Sequence, residues 1–465
     1  MKEDEKLDMK SINKDVIEEA IYEKVLEYRS ELLCSIRRLV QINSVEGKKS
    51  LNAPFGENPK RALEEALRIS RKLGFRTKNI GNAIGYAEYG EGEEYIAIIG
   101  HVDVVPAGKG WTYPPFDLSV KEGKIFGRGV LDNKGPIMAA LYGMKIIKDL
   151  NLKISKKIRV IFGTNEETGF KDIPYYLNEE KSPIMGFTPD CKYPAVYGER
   201  GILDVTIWSN PIKDCIIKSI KGNFRNNMVP DFAEIEIFRR ESLDGENINW
   251  QTEVSEKISV KGSQAPGNAP EAGENAITTL CKTLHGIGNS SFTGELKEFI
   301  EFVYKNFHEN YSLEKSGIEC KDDISGSLVV NPYKLSINGD RIGLSVVFRY
   351  PITYTHKNMI SIIESIINEG YKITENRRMD SVCFDKDHEL LKKLQESYET
   401  VTGFDGTPVT TTGGTYAKVF PNIVAFGPSF PGQKGIGHNK DEYMNISDLL
   451  LNTEIFTNAI YNLAK

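Results

Sequence analysis

His101 and Asp103 follow an apolar run at residues 95–99, in IIGHVDVV, and Asp132 stands in GRGVLDNKG ahead of an apolar-periodic segment at 136–150. A short buried strand ending at Gly100 would deliver His101 and Asp103 at its C-terminal edge, where open α/β sheets carry their sites. Asp132 then falls at a strand-to-helix corner. Directly after a second apolar run, KIRVIFG at 157–163, come Glu166 and Glu167 in TNEETG. Two adjacent carboxylates at a strand end can divide labour, one holding a metal while its neighbour moves a proton. Asp190 ends the short segment FTPD, and His438 follows two glycines in GIGHN.

Taken together, His101, Asp132, Glu167, Asp190 and His438 make an imidazole and carboxylate donor set that suits zinc, cobalt or manganese better than a thiolate-seeking metal. Five donors exceed the needs of one four-coordinate ion. One carboxylate bridging two ions about 4 Å apart accounts for the count, leaving each ion one histidine and one further carboxylate. Asp103, two residues beyond His101 on an extended segment, faces the same way and is positioned to orient the imidazole.

The elements that must hold these groups change character along the chain. Up to about residue 193 the pattern alternates: helices at 15–42 and 60–73, strands at 83–89 and 95–99, a helix after Asp132, a strand at 157–163 and a short helix at 172–178. Such alternation predicts a sheet with helices on its faces. Strands at 203–208, 233–238 and 257–260 then precede a helix at 275–284. Strands at 326–330, 334–338 and 342–348 lead to a helix at 357–368, and this stretch reads as a separate α+β domain. The last part returns to a helix at 388–402, a strand at 423–426 and a helix at 446–463. A chain of 465 residues exceeds most single cores, so two domains are expected, one inserted in the other.

The 59 basic and 65 acidic residues are interspersed and leave a net charge of −6, which implies neither a nucleic-acid surface nor a membrane surface. Residues 1–10 are densely charged without an apolar core, and no run approaches the roughly 20 apolar residues that span a bilayer, so a cytoplasmic protein is expected. Six scattered cysteines lack CxxC spacing, against a disulfide framework or a thiolate zinc site.

The ordered series LCSIRRLVQINSV, FGENPKRALEEAL, GHVDVVPAGKGWTYPPF, GRGVLDNKGP, TNEETG, FTPD, NMVP, FRYP, GGTYAK and GHNKDEY resembles the two-zinc amidohydrolases that include aminoacylase, glutamate carboxypeptidase and, nearest in pattern, the dipeptidase V type. That resemblance implies an α/β catalytic domain made of residues 1–195 and 385–465. It also implies an inserted lid, residues 196–384, of two similar α+β halves, in an enzyme that works as a monomer. By position, Asp132 would be the bridging ligand, His101 and Asp190 would hold one ion, and Glu167 and His438 the other. The ions would be Zn²⁺ first, with Mn²⁺ or Co²⁺ as alternatives. Glu166 would be the general base, and the Asp132-Asn133 peptide would be cis. Asn227 and Arg349 would be supplied by the lid to a small peptide substrate, with Gly413, Gly414 and Thr415 cradling its carboxylate.

The resemblance thus implies amide hydrolysis of dipeptides by water activated at the metals, with Glu166 taking its proton and returning it to the amine. Two departures stand out. Where the family carries a lid histidine that steadies the oxyanion, this chain has Pro266, in QAPGNAPEAGENA, and proline offers neither imidazole nor N–H. Loss of such a donor typically costs on the order of 10²–10³ in rate. Another group can cover for it, one of His285, His308, His356 and His388 among them, or catalysis is lost. Lys418 stands where arginine is frequent, keeping charge without the bidentate fork. A dipeptidase is the first reading. An N-acyl amino acid deacylase, or a zinc-retaining peptide-binding protein with weak or no catalysis, is the alternative.

Overall fold

A computed structural model describes residues 4–212, 217–239, 254–287 and 294–465; Cys215 lies outside them. The chain divides into two compact units. One comprises Met1–Tyr197, Phe384–Val409 and Thr415–Lys465, the other Gly198–Cys383 and Thr410–Gly414.

In the first unit the run after Glu94 forms the strand Tyr95–His101, every residue of which is buried. It lies parallel to Lys157–Gly163 on one side and to Met185–Thr188 on the other. Ile423–Ala425 adds a further parallel strand beside Met185–Thr188. Ile84–Tyr89 and Arg76–Ile80 continue past Lys157–Gly163 in antiparallel fashion, and Val196 meets Ala425 antiparallel at the other side. The result is a mixed α/β sheet. Strands covered on both faces read as continuous apolar runs rather than alternating ones, which is why KIRVIFG and YIAII were legible. The central strand extends two residues beyond the predicted end, so His101 is its last residue and pairs with Gly163.

Helices cover this sheet. Glu57–Lys72 buries Ala62, Leu63, Ala66, Leu67 and Ser70 at helical spacing, with Glu57 in its first turn and Arg71 and Lys72 in its last, where they complement the helix dipole. Lys134–Asp149 packs against the C-terminal helix Ile446–Ala464, and a Cβ at Gly143 would come within 3.2 Å of the Thr457 backbone nitrogen. A glycine there lets two helices from distant parts of the sequence close on one core, which includes Ile96, Ile98, Val160, Phe162, Phe187, Leu141 and Phe456.

The second unit has its own core, with Leu203, Val205, Phe348, Leu280 and Phe299 among its members. It contains an antiparallel sheet in the order Val329–Asn338, Arg341–Tyr350, Gly201–Trp208, Lys372–Met379, and a three-stranded sheet, Ile217–Gly222, Phe232–Arg239, Val254–Lys261. The strands expected at 326–330 and 334–338 are largely one strand, Val329–Asn338, whose register shifts between Pro332 and Lys334. Proline removes a ladder donor and is accommodated at such a bulge on an edge strand. The helix Gly294–Phe307 and the strand Lys372–Met379 were not expected. In KITENRRM only Met379 is buried, so this edge strand shows no apolar alternation to read.

Glu454, on the C-terminal helix, faces Glu18; partial burial and that neighbour push its pKa from 4.5 to about 7. Below pH 4.5 folded and unfolded chains both hold the proton. As pH rises toward 7 only the unfolded chain releases it, so stability falls across that window. Glu454→Gln is therefore expected to match wild type near pH 4. Above pH 8 it should be more stable by about 1 kcal/mol, the full linkage value being reduced by solvent screening. Urea midpoints at the two pH values measure the difference, and equal midpoints at pH 8 would refute it.

Candidate metal centre

Because the three adjacent parallel strands Lys157–Gly163, Tyr95–His101 and Met185–Thr188 run the same way, their C-terminal ends deliver Glu166 and Glu167, His101, and Asp190 to one edge of the sheet. Asp132 arrives from the turn that opens the helix Lys134–Asp149, across an Asp132-Asn133 peptide that is cis. His438 arrives from the loop between the short strands Pro428–Ser429 and Tyr443–Asn445.

These side chains converge. His101 Nε2 lies 3.0 Å from Asp132 Oδ1 and 3.6 Å from Asp190 Oδ2. His438 Nε2 lies 2.9 Å from Asp132 Oδ2 and 3.0 Å from Glu167 Oε2. The two oxygens of Asp132 thus face two different imidazoles. Donor atoms of His101, Asp132 and Glu167 fall within 4.8 Å of one another, as do those of His101, Glu166 and Asp190. His101 is fully buried whereas the His438 side chain is 38 % exposed, so the cluster opens to solvent on the His438 side. Beside it a cavity of ≈ 160 Å³ is bordered by Asp132, Asp190, Cys191, Ser429, Gln433 and Lys434.

The electrostatics call for a cation. Burial disfavours a charged His101, yet Asp190, Asp103 and Asp132 outweigh it and hold the imidazole well above its usual range. The same contest, won by Glu167 and Asp132, raises His438. Burial, then Asp190, pushes Glu166 well up, and burial also raises Asp190 to about 7. Four carboxylates gathered around two imidazoles are neutralised by protons or by metal ions, and imidazole nitrogen with carboxylate oxygen is the donor chemistry of a divalent transition metal. The residues therefore fit a two-ion centre.

Surrounding bonds fix the donors. His101 Nδ1 donates to the Asp103 carbonyl at 3.0 Å, with the Asp103 carboxylate 3.4 Å away, which leaves Nε2 for the cluster. The carboxylate expected to orient the imidazole has a second duty: its oxygens accept the backbone N–H groups of Glu166 and Glu167. Asn133 Nδ2 donates to Pro189 O and Asp190 Oδ1. Asp172 begins the helix Ile173–Glu179, yet Oδ2 of its carboxylate accepts from Thr164 N, Asn165 N and the Tyr416 hydroxyl, and burial keeps its pKa up at about 6. Neither Asp172 nor Tyr416 was singled out as functional, although Tyr416 lies in GGTYAK.

Arg349, in the second unit, is a shielded guanidinium. Its Nη1 donates to Thr412 O, its Nε has no hydrogen-bond partner, and burial, with Arg377 and Arg200 nearby, lowers it to about 10. Asn227 is exposed, and its carbonyl accepts from Gly267 N. Gly413 N donates to Thr411 Oγ1, and Thr415, in the first unit, caps the short turn Tyr416–Lys418. Pro266 bridges to Met228 through its backbone. The four other histidines have local partners: His285 stacks on Tyr304, His308 faces Thr278, His356 meets Glu375, and His388 caps the helix Glu389–Thr402.

The sequence profile described as peptidase family M20/M25/M40 matches residues 97–462. A Bacillus subtilis (strain 168) protein named "Putative dipeptidase YtjP" is 34% identical, the match spanning 95% of this chain and 99% of its own. Among solved structures, human carnosine dipeptidase 1 superposes with a TM-score of 0.59 at 15% identity, over 96% of this chain and 99% of its own. The Bacillus subtilis YXEP protein, described as a dinuclear metal binding peptidase, superposes with a TM-score of 0.54 at 10% identity, over 94% and 99%. At such identities the two structures speak to fold alone.

Proposed function

This chain belongs to peptidase family M20/M25/M40, and on that premise we propose that it is a metal-dependent dipeptidase holding two divalent ions, zinc first, with manganese or cobalt as alternatives. The observation that carries the reading is Asp132, whose Oδ1 faces His101 and whose Oδ2 faces His438. Asp132 would bridge the two ions, His101 and Asp190 would complete one position, and Glu167 and His438 the other. When bound, the ions supply Lewis acidity that makes water a nucleophile near neutral pH and polarises an amide carbonyl.

The chain's own residues do the rest. Glu166, beside the ligands and not hydrogen-bonded to either histidine, takes the proton of the attacking water and delivers it to the departing amine. Asp103 holds His101 and the Glu166–Glu167 backbone in place. Arg349 lacks a carboxylate partner among the described residues, which supports its assignment to the substrate carboxylate, with Asn227, Gly413, Gly414 and Thr415. A cavity of ≈ 160 Å³ beside Asp132 and Asp190 accommodates one side chain, in keeping with a dipeptide.

A second reading, a peptide-binding protein with weak or no catalysis, draws on Pro266 and on the local engagement of the four remaining histidines. Hydrolysis of free and N-blocked dipeptides by the zinc- or manganese-loaded protein separates these possibilities. Turnover of free dipeptides is the expected result. Preference for N-blocked substrates would instead mark a deacylase. A silent wild type that gains activity in Pro266→His, by up to roughly 10²–10³-fold, would favour the binding-protein reading.

A further inference from the structure

Arg128 and Glu442 form an ion pair with side chains 1% and 0% exposed, Nη1 to Oε2 at 2.6 Å. A pair taken this far from water is a poor source of stability, and its best-attested use is to fix register. What these two side chains fix is visible in their other bonds. Glu442 Oε1 accepts from Gly129 N at 3.0 Å, Leu131 N at 3.0 Å and Asp132 N at 3.2 Å, so one oxygen organises the turn that presents Asp132. The Glu442 carbonyl takes a fourth N–H, that of Gly127. Arg128 Nη2 reaches the other way, to the carbonyl of His438 at 3.3 Å. His438 has a φ of 62°, a conformation that a non-glycine residue keeps only where its surroundings hold it. Trp111 covers the guanidinium at 5.2 Å, and Asp441, next to Glu442, accepts from Thr112 N and Oγ1 and from Tyr113 N, so the loop carrying His438 is tied down on its C-terminal side.

We propose that the buried Arg128–Glu442 pair is the positioning element that sets Asp132 and His438 against each other, and so selects for occupancy of the ion position that these two share with Glu167. It rests on the two-ion reading above. Neither residue is a ligand. The guanidinium fork is what makes the link, because one nitrogen serves Glu442 while another serves His438. A lysine at 128 keeps the charge and can satisfy only one of them.

The test is binding of Co²⁺ to the metal-free full chain, by calorimetry and by the visible absorption of the bound cobalt, in wild type, Arg128→Lys and Glu442→Gln. Wild type is expected to bind two ions. Both variants are expected to keep one ion at wild-type affinity and to bind the second roughly 10- to 100-fold more weakly, with the absorption of that second ion altered. Glu442→Gln preserves size and the Oε1 acceptor, so if Arg128→Lys fails to melt cooperatively without metal, Glu442→Gln carries the test. Two ions bound at wild-type affinity with an unchanged spectrum in the folded variants would overturn the proposal. Fewer than two ions in wild type would overturn the two-ion reading itself, and this inference with it.

Discussion

Replacing Glu166 by alanine is expected to lower kcat for dipeptide hydrolysis by roughly 10²–10⁴-fold, with KM and metal content near wild type. Glu166 is 9% exposed, and its place is set by its backbone, whose N–H is accepted by Asp103 Oδ1. Truncating the side chain leaves that bond, and the Glu167 bond beside it, untouched. It also removes a carboxyl whose ionised form burial and the Asp190 carboxylate disfavour, so the fold is not penalised. Glu167 cannot take over, because its oxygens lie 3.0 and 3.2 Å from His438 Nε2. Glu166→Asp, which withdraws the carboxylate by one methylene, should fall between wild type and alanine. Steady-state kinetics with metal analysis on the same samples decides the matter. An alanine variant with undiminished kcat would remove Glu166 from the chemistry.

How much of this was legible follows from where the signals lie. The continuous apolar runs at 95–99 and 157–163 announced buried strands, and residues just after such runs are at a sheet edge, which is why His101, Glu166, Glu167 and Asp190 were singled out as candidates. Their convergence could not be read, since it depends on three strands being parallel and in register, with His101 opposite Gly163. His438 comes from more than 300 residues downstream of Asp132, brought back by the helix pair that closes at Gly143. The supporting groups were harder still. Arg128, Asp172 and Glu442 look like ordinary surface charges in a sequence, and only the structure reveals that they are buried and hold backbone N–H and C=O groups as well as each other or Tyr416. Asp103 was read as a partner of His101. Its bonds to the Glu166 and Glu167 backbone arise from the strand ends meeting, which no spacing rule encodes.

Asp132→Ala is expected to have the other large effect, and a different one: loss of both ions together with activity, rather than loss of activity alone. In the proposed pairing each of the other ligands belongs to one position, so its removal would leave the second position with its histidine and two carboxylates, Asp132 among them. Asp132 alone faces both imidazoles, at 3.0 Å and 2.9 Å. Without it each position keeps one imidazole and one carboxylate, too few to hold a divalent ion tightly against water. Because ions that bind only the folded chain stabilise it by mass action, about 4 kcal/mol at a thousandfold excess over Kd, a chelator should lower the Tm of wild type appreciably. The Tm of Asp132→Ala should not respond to chelator, since there is little left to remove. The alanine also deprives His101 and His438 of one of the carboxylates that hold them protonated, beside Asp190 and Asp103 for His101 and Glu167 for His438, so the metal-free variant should titrate both at lower pH than metal-free wild type, a shift visible in histidine NMR signals. A variant that retained two ions and a chelator-sensitive Tm would mean that Asp132 is not the bridge, and the pairing of ligands would have to be redrawn around Glu166 and Asp190, the other carboxylates grouped with His101.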